Sequence, residues 1–238
     1  QSQGSAPITY PDLSAIRGQP LLCRALELAA AGGHHLLIAG PPGIGKTLAA
    51  SVLPGLLPPV TPAQRREVGL LRDLAGLPHC DELPFRAPHH SSSIAALMGG
   101  TSQAIPGEIS MAHAGVLFLD ELAEFPRAVL NQLRQPLETG EITVSRAAHK
   151  HTYPAQFQLV AAMNPCPCGM TGRPESTCHC TPAAIQRYWR GVSGPLLDRI
   201  DLHITIDRPP PDALLSKRPS KAHSKTVRER VIKLRERQ

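Results

Sequence analysis

The octapeptide Gly40-Pro41-Pro42-Gly43-Ile44-Gly45-Lys46-Thr47 constrains this chain more than any other stretch. It fits G-x-x-x-x-G-K-[ST] and lies between a short apolar run, HLLIAG, and the helical pattern TLAASVL. Strand, glycine loop and helix in that order form the layout of a nucleotide-binding α/β unit. The glycines let successive backbone N–H groups point into one concavity, and the helix N-terminus adds its dipole, so the loop holds an anion. On this reading Lys46 reaches the β- and γ-phosphates of ATP and Thr47 ligates Mg2+. The alternative is a chance match in a helix-capping loop, and the correctly placed strand and helix argue against it.

ATP hydrolysis also needs an acidic strand end. The run Gly115–Glu121, GVLFLDE, supplies one. Asp120 is expected to organise Mg2+ and its water, and Glu121 to act as general base. Asn164 ends a further apolar strand, FQLVAAMN. Its amide is placed either to align water with the γ-phosphate or to make a turn before Pro165. Arg199, in GPLLDRID, suits a finger presented to a neighbouring subunit's nucleotide. A local salt bridge with Asp198 or Asp201 is the other reading.

The rest of the chain reads as alternating helices and short strands. Helices are expected at Pro20–Gly33, Pro62–Ala75, PRAVLNQLRQPLETG (one helix stopping near Gly140) and TPAAIQRYWRG. EITVSRAAHKHTY reads as a hairpin, with Ile142 and Val144 alternating with polar residues. A short strand fits Phe85–Ala87 and a last strand fits DLHITID. The expected fold is a three-layer α/β P-loop core with a parallel sheet of about five strands. Residues 1–15 read as a linker, 16–208 as the core and 209–238 as a basic, proline-led tail.

The 238 residues include 42% hydrophobic but only 3% aromatic side chains, so the core is built from Leu, Ile, Val and Ala. No apolar run is long enough to span a membrane and no leader pattern is visible, so a cytoplasmic setting is expected. The net charge is +6, yet Lys217–Gln238 carries nine Lys/Arg against two Glu, leaving the rest at −1. Such a tail either contacts nucleic acid or forms a solvated amphipathic helix, with Val227, Val231, Ile232 and Leu234 on its apolar side.

Four of the six cysteines fall in NPCPCGMTGRPESTCHC, as Cys166, Cys168, Cys178 and Cys180. Four thiolates fill a tetrahedral Zn2+ shell with no open position, which is structural logic. His179 can replace one sulfur. Free thiols and a redox pair are the other readings. Because Lys46 is distant in sequence, metal loss is expected to disturb this loop and Asn164 more than ATP affinity. Cys23 and Cys80 read as small buried residues. His89-His90 reads as a pore-loop or hydrogen-bonding pair.

The segments GPPGIGKT, PFRAPHHSSSIAALMGG, PGEISMAHAGVLFLDELAEFPR, LRQPLETGEITVSR, FQLVAAMNPCPCG and SGPLLDRIDLH together resemble one family. It is the ComM/YifB family of AAA+ ATPases, which are magnesium-chelatase-like and ChlI-related. The resemblance covers roughly Ile16 to Ile206. It implies that Asn164 is sensor 1, that Arg199 is the arginine finger, and that Ile16 and Gln19 lie near the adenine. It implies a pre-sensor-1 hairpin at Glu141–Tyr153 and an insertion at Phe85–Ser110, both facing the pore of a hexameric ring. There Arg146 and Lys150 would meet DNA. Family members add a Lon-protease-like domain and a helical lid, so the chain reads as a core whose lid is missing or incomplete. The implied function is a DNA helicase, or branch-migration motor, of natural transformation and recombination. A magnesium-chelatase-type ATPase subunit that remodels a partner protein in tetrapyrrole synthesis is one alternative. A nucleotide-dependent assembly module without motor activity is another.

Overall fold

A computed structural model of the chain describes residues 9–100, 105–146, 149–171, 178–192, 194–210, 212 and 223–238. Helix α1 (Pro20–Gly32) leads to β1 (Leu36–Ala39), which passes through the glycine loop into α2 (Lys46–Val52). Then come α3 (Pro62–Leu74), β2 (Phe85–Arg86), α4 (Ile94–Met98), α5 (Glu108–Met111) and β3 (Val116–Leu119). Helices α6 (Arg127–Gln132) and α7 (Arg134–Thr139) precede the antiparallel hairpin of β4 (Glu141–Arg146) and β5 (His149–Pro154). Next are β6 (Gln158–Met163), α8 (Pro182–Gly191), α9 (Gly194–Leu197), β7 (Leu202–Thr205) and α10 (Ser224–Arg235).

Five strands form one sheet in the order β2-β3-β6-β1-β7, and every neighbouring pair is parallel. The three central strands are apolar at almost every position because both sheet faces are covered. Side chains alternate between the faces with the two-residue period of a strand. Leu37, Leu117, Leu119, Leu159 and Ala161 join one core with Ile109, Val129, Leu130 and Leu196. Leu36, Ile38, Val116, Phe118 and Val160 join the other with Leu22, Leu26 and Ala49. The architecture is the expected three-layer α/β P-loop fold, with the hairpin inserted before β6.

Local signals explain most boundaries. Pro20 opens α1, and Gly33 ends it in the left-handed conformation. Thr61 and Gln64 cap α3 reciprocally. The expected single helix over PRAVLNQLRQPLETG is instead two helices meeting at Leu133. Pro136 has no N–H for the carbonyl of Gln132, so a continuous ladder is not available there.

The segment before α1 and the final helix are tied together. The Leu13 N–H donates to Ser224 Oγ at 2.7 Å, and the Ser224 N–H donates to an Asp12 carboxylate oxygen at 3.0 Å. Helix α10 lies on α1, with Val227 and Val231 buried. Leu234 stays exposed instead of joining the apolar side. Part of the basic charge is engaged in this docking. Arg235 donates twice to Ala30 O (3.1 and 2.9 Å), and Arg230 pairs with Glu27 at 2.7 Å. Val231→Ala should cost about 1–3 kcal/mol by opening a cavity under α10. Urea unfolding checks this; an unshifted midpoint would mean that α10 is not docked.

Candidate nucleotide and metal sites

The C-terminal ends of β1, β3 and β6 lie side by side, where ligands bind in open α/β sheets. Beyond β1, Gly43 and Gly45 have φ of +75° and +93°, a region that side-chain-bearing residues rarely adopt. This folds the loop around the side chain of Lys46, which is only 8% exposed. The ammonium donates to Gly40 O at 2.7 Å, Pro41 O at 2.9 Å and Asn164 Oδ1 at 3.1 Å. Burial pulls its pKa down, while the carboxylates of Asp120 and Glu121 pull it up. The lysine and the amide of Asn164, expected together, are in direct contact.

Thr47 Oγ1 donates to Asp120 Oδ2 at 3.0 Å, so the two expected Mg2+ ligands already face each other. The other Asp120 oxygen accepts the Glu121 N–H at 2.9 Å. Glu121 has φ of +51°, a strained backbone for a residue with a side chain. Its carboxylate lies 3.2 Å from His90 Nδ1, and the His90 ring meets the edge of Phe125. Of the histidine pair, His89 makes the hydrogen bond, with Ser91 Oγ at 2.7 Å, and His90 faces Glu121, a partner that sequence reasoning missed.

A cavity of about 390 Å³ is lined by Pro42, Gly43, Gly45, Lys46, Thr47, Asp120, Glu121, Met163 and Asn164. A second, of about 360 Å³, shares Gly43 and Gly45 and is lined by Ile16, Arg17, Gln19, Ile44, Leu48, Arg208 and Pro209, with Ala15. One half holds a cation and acids, and the other sets aliphatic side chains beside Arg17, Gln19 and Arg208 with no acid. That division fits a phosphate chain joined to a purine. Gln19 Nε2 donates to Asp207 O at 2.6 Å, which ties the segment before α1 to the end of β7. Arg208 was missed, since nothing local marks a residue three positions past a strand. A larger cavity, about 540 Å³, lies at the other strand ends beside Gly115 and Gln158, where no acids and lysine converge.

Beside Asn164, the four sulfurs of Cys166, Cys168, Cys178 and Cys180 lie within 4.8 Å of one another. Three of the separations are 3.4, 3.6 and 3.9 Å. A tetrahedral site with Zn–S near 2.3 Å has sulfurs roughly 3.8 Å apart, so the set fits that ion. Burial raises the Cys166 thiol, but hydrogen bonds from Thr171 and Cys168 outweigh it and lower it to about 6. The Cys168 thiol is pushed the other way by its cysteine neighbours, so the set favours ionising one sulfur first, and the thiolate is the form that binds metal. Helix α8 grips the same segment: Trp189 Nε1 donates to Pro165 O at 3.0 Å. Burial raises the Tyr188 hydroxyl, opposed by the backbone N–H of Asn164 beside it.

Arg199 pairs with Glu138 of α7 and donates to Pro195 O at 2.6 Å. Its ion pair is thus with Glu138 rather than with Asp198 or Asp201. Asp201 instead accepts the His35 N–H at 2.7 Å. In the hairpin, Ile142, Val144 and Tyr153 are buried, while Lys150 is exposed opposite Ser145. The side chain of Arg146 lies outside the described residues. In the insertion, Arg86 grips Glu108 with two hydrogen bonds of 2.6 and 2.5 Å, joining the FRAPHH and PGEISMAH segments.

Residues 12–214 match the family model described as magnesium chelatase, subunit ChlI. The chain is 47% identical to YifB of Salmonella typhimurium over 98% of its own length and 47% of the relative's. It is 50% identical to competence protein ComM of Haemophilus influenzae, over 94% of this chain and 45% of that protein. The chain thus spans about half the length of these relatives. Among solved structures, NtrX from Brucella abortus in complex with ADP superposes with a TM-score of 0.52 at 16% identity, covering 80% of this chain and 35% of that one. The complex of NtrX with ATP gives 0.51 at 14% identity, covering 96% of this chain and 52% of that one. No helix among the described residues is long and apolar enough to cross a membrane. The chain belongs to the magnesium chelatase subunit ChlI family, as an AAA+ protein related to YifB and ComM.

Proposed function

We propose that the chain binds ATP with Mg2+ and hydrolyses it as the AAA+ core of a cytoplasmic ring motor that acts on DNA. One observation carries the hydrolytic part of this reading: Lys46, Thr47, Asp120, Glu121 and Asn164 line a single cavity. On binding, the Lys46 ammonium exchanges the carbonyls of Gly40 and Pro41 for β- and γ-phosphate oxygens. Thr47 and Asp120 hold Mg2+, which neutralises charge building on the phosphates. Glu121 accepts a proton from the attacking water, and Asn164 orients that water. His90 restrains Glu121 until the site fills. Arg199 leaves Glu138 to reach the nucleotide of a neighbouring subunit in the proposed hexameric ring.

Two features support DNA as the substrate of the motor. Lys150 is exposed on the inserted hairpin, where its charge can follow phosphates rather than bases. The chain is also half identical to a competence protein. Strand movement during transformation and recombination is the activity this reading assigns to the whole protein. The four-sulfur cluster is assigned to one structural Zn2+, supported by the sulfur spacing.

Two outcomes test these assignments. Lys46→Ala should weaken nucleotide binding by roughly 2–3 kcal/mol, on the order of 30- to 150-fold, because charge-assisted hydrogen bonds are lost. A fluorescent-ADP titration reads this, and equal affinity in mutant and wild type would remove the phosphate-loop assignment. In the full-length protein, Lys150→Ala with Arg146→Ala should lower DNA-stimulated turnover several-fold while basal turnover holds. An equal loss with and without DNA would count against the pore reading.

A further inference from the structure

We propose that the thiol-clipped loop backs two wall residues of the phosphate site: zinc on the four sulfurs seats Gly169 against Pro42 and Asn164, and so fixes the shape of the phosphate loop. This rests on the zinc assignment above and adds control of the nucleotide site by metal. The carrying observation is a close approach between segments far apart in sequence. Gly169 has φ of +73°, and a Cβ built there would lie 2.8 Å from Pro42 Cδ, 3.4 Å from Pro42 Cγ and 3.7 Å from Asn164 Cγ. The Gly169 backbone therefore occupies the space in which any side chain would collide with the proline ring.

The turn that delivers Gly169 is built by the sulfur cluster. The Gly169 N–H donates to Cys166 O at 2.9 Å, and the Thr171 N–H donates to Cys166 Sγ at 3.4 Å. Thr171 Oγ1 lies 3.1 Å from Cys178 Sγ. Of the four cysteines only Cys166 is buried, and Cys168 is exposed. An apolar core therefore does not hold the second C-x-C pair against the first. Metal–thiolate bonds can, and in such sites binding energy is folding energy. The line of contact runs from the sulfurs through the turn at Cys166–Gly169 to Pro42 and Asn164. From Asn164 it continues through Oδ1 to the ammonium of Lys46. Loss of metal removes the support at its origin, so Pro42 and Asn164 lose their backing although Lys46 lies more than a hundred residues away.

The test is hydrogen exchange on the purified chain with zinc bound, after chelation and after zinc is returned. Metal content and emission of the single tryptophan, Trp189, are followed in parallel. About one equivalent of zinc is expected. Chelation should speed exchange at least fivefold both at residues 166–171 and at the amides of Gly43–Lys46, and zinc should restore both. Faster exchange at 166–171 alone would overturn the coupling, and so would a folded chain that holds no zinc. Gly169→Ala should keep its zinc yet loosen Gly43–Lys46. Retained zinc with unchanged exchange there would also overturn the proposal. ATP added to the zinc-bound chain separates the two readings: failure to protect Gly43–Lys46 would count against ATP binding while leaving the metal response standing.

Discussion

The buried ammonium of Lys46 is the contact on which the rest of the site depends. A lysine removed from water must find acceptors or give up its charge. Here it finds the carbonyls of Gly40 and Pro41 and the side chain of Asn164. Those three bonds draw the end of β1 and the end of β6 to one point. Register between β1 and β6 holds the strands themselves in place, with Ala39 opposite Met163. Asp120 and Glu121, just past β3, offset the cost of burying the cation. The charge that gathers these strand ends is also the charge a phosphate chain requires.

Around that point the fold supplies restraint rather than chemistry. Glu138 holds Arg199, and His90 holds Glu121. The Arg86–Glu108 pair braces the insertion that carries His90. Each of these contacts joins separate segments of the chain. The carboxylate of Glu121 and the guanidinium of Arg199 are thus both paired within the chain.

What could be read from the sequence follows from how far each signal reaches. The phosphate loop, the acids after VLFL and the apolar strands are written in a few consecutive residues, and the five-stranded parallel sheet was legible from them. The apolar side of the last helix was legible too, since Val227 and Val231 repeat at helical spacing, but the surface they cover was not. The helix over PRAVLNQLRQPLETG was read too long because its apolar period continues smoothly across Leu133 while Pro136 breaks the hydrogen-bond ladder. The pairs His90–Glu121, Arg199–Glu138 and Gly169–Pro42 join distant segments, and no local pattern encodes them. For that reason the cysteine loop was expected to affect Asn164 more than ATP affinity, while the packing of Gly169 against Pro42 of the phosphate loop was not visible.

The most direct test is a crystal structure of the chain with Mg2+ and a non-hydrolysable ATP analogue. The account predicts the triphosphate in the cavity of about 390 Å³, with Lys46 Nζ moved off Gly40 O and within about 3 Å of β- and γ-phosphate oxygens. The Thr47–Asp120 hydrogen bond should open to admit the metal, and the purine should lie between Ile16 and Arg208. An analogue bound elsewhere, with Lys46 still on the carbonyls of Gly40 and Pro41, would contradict it.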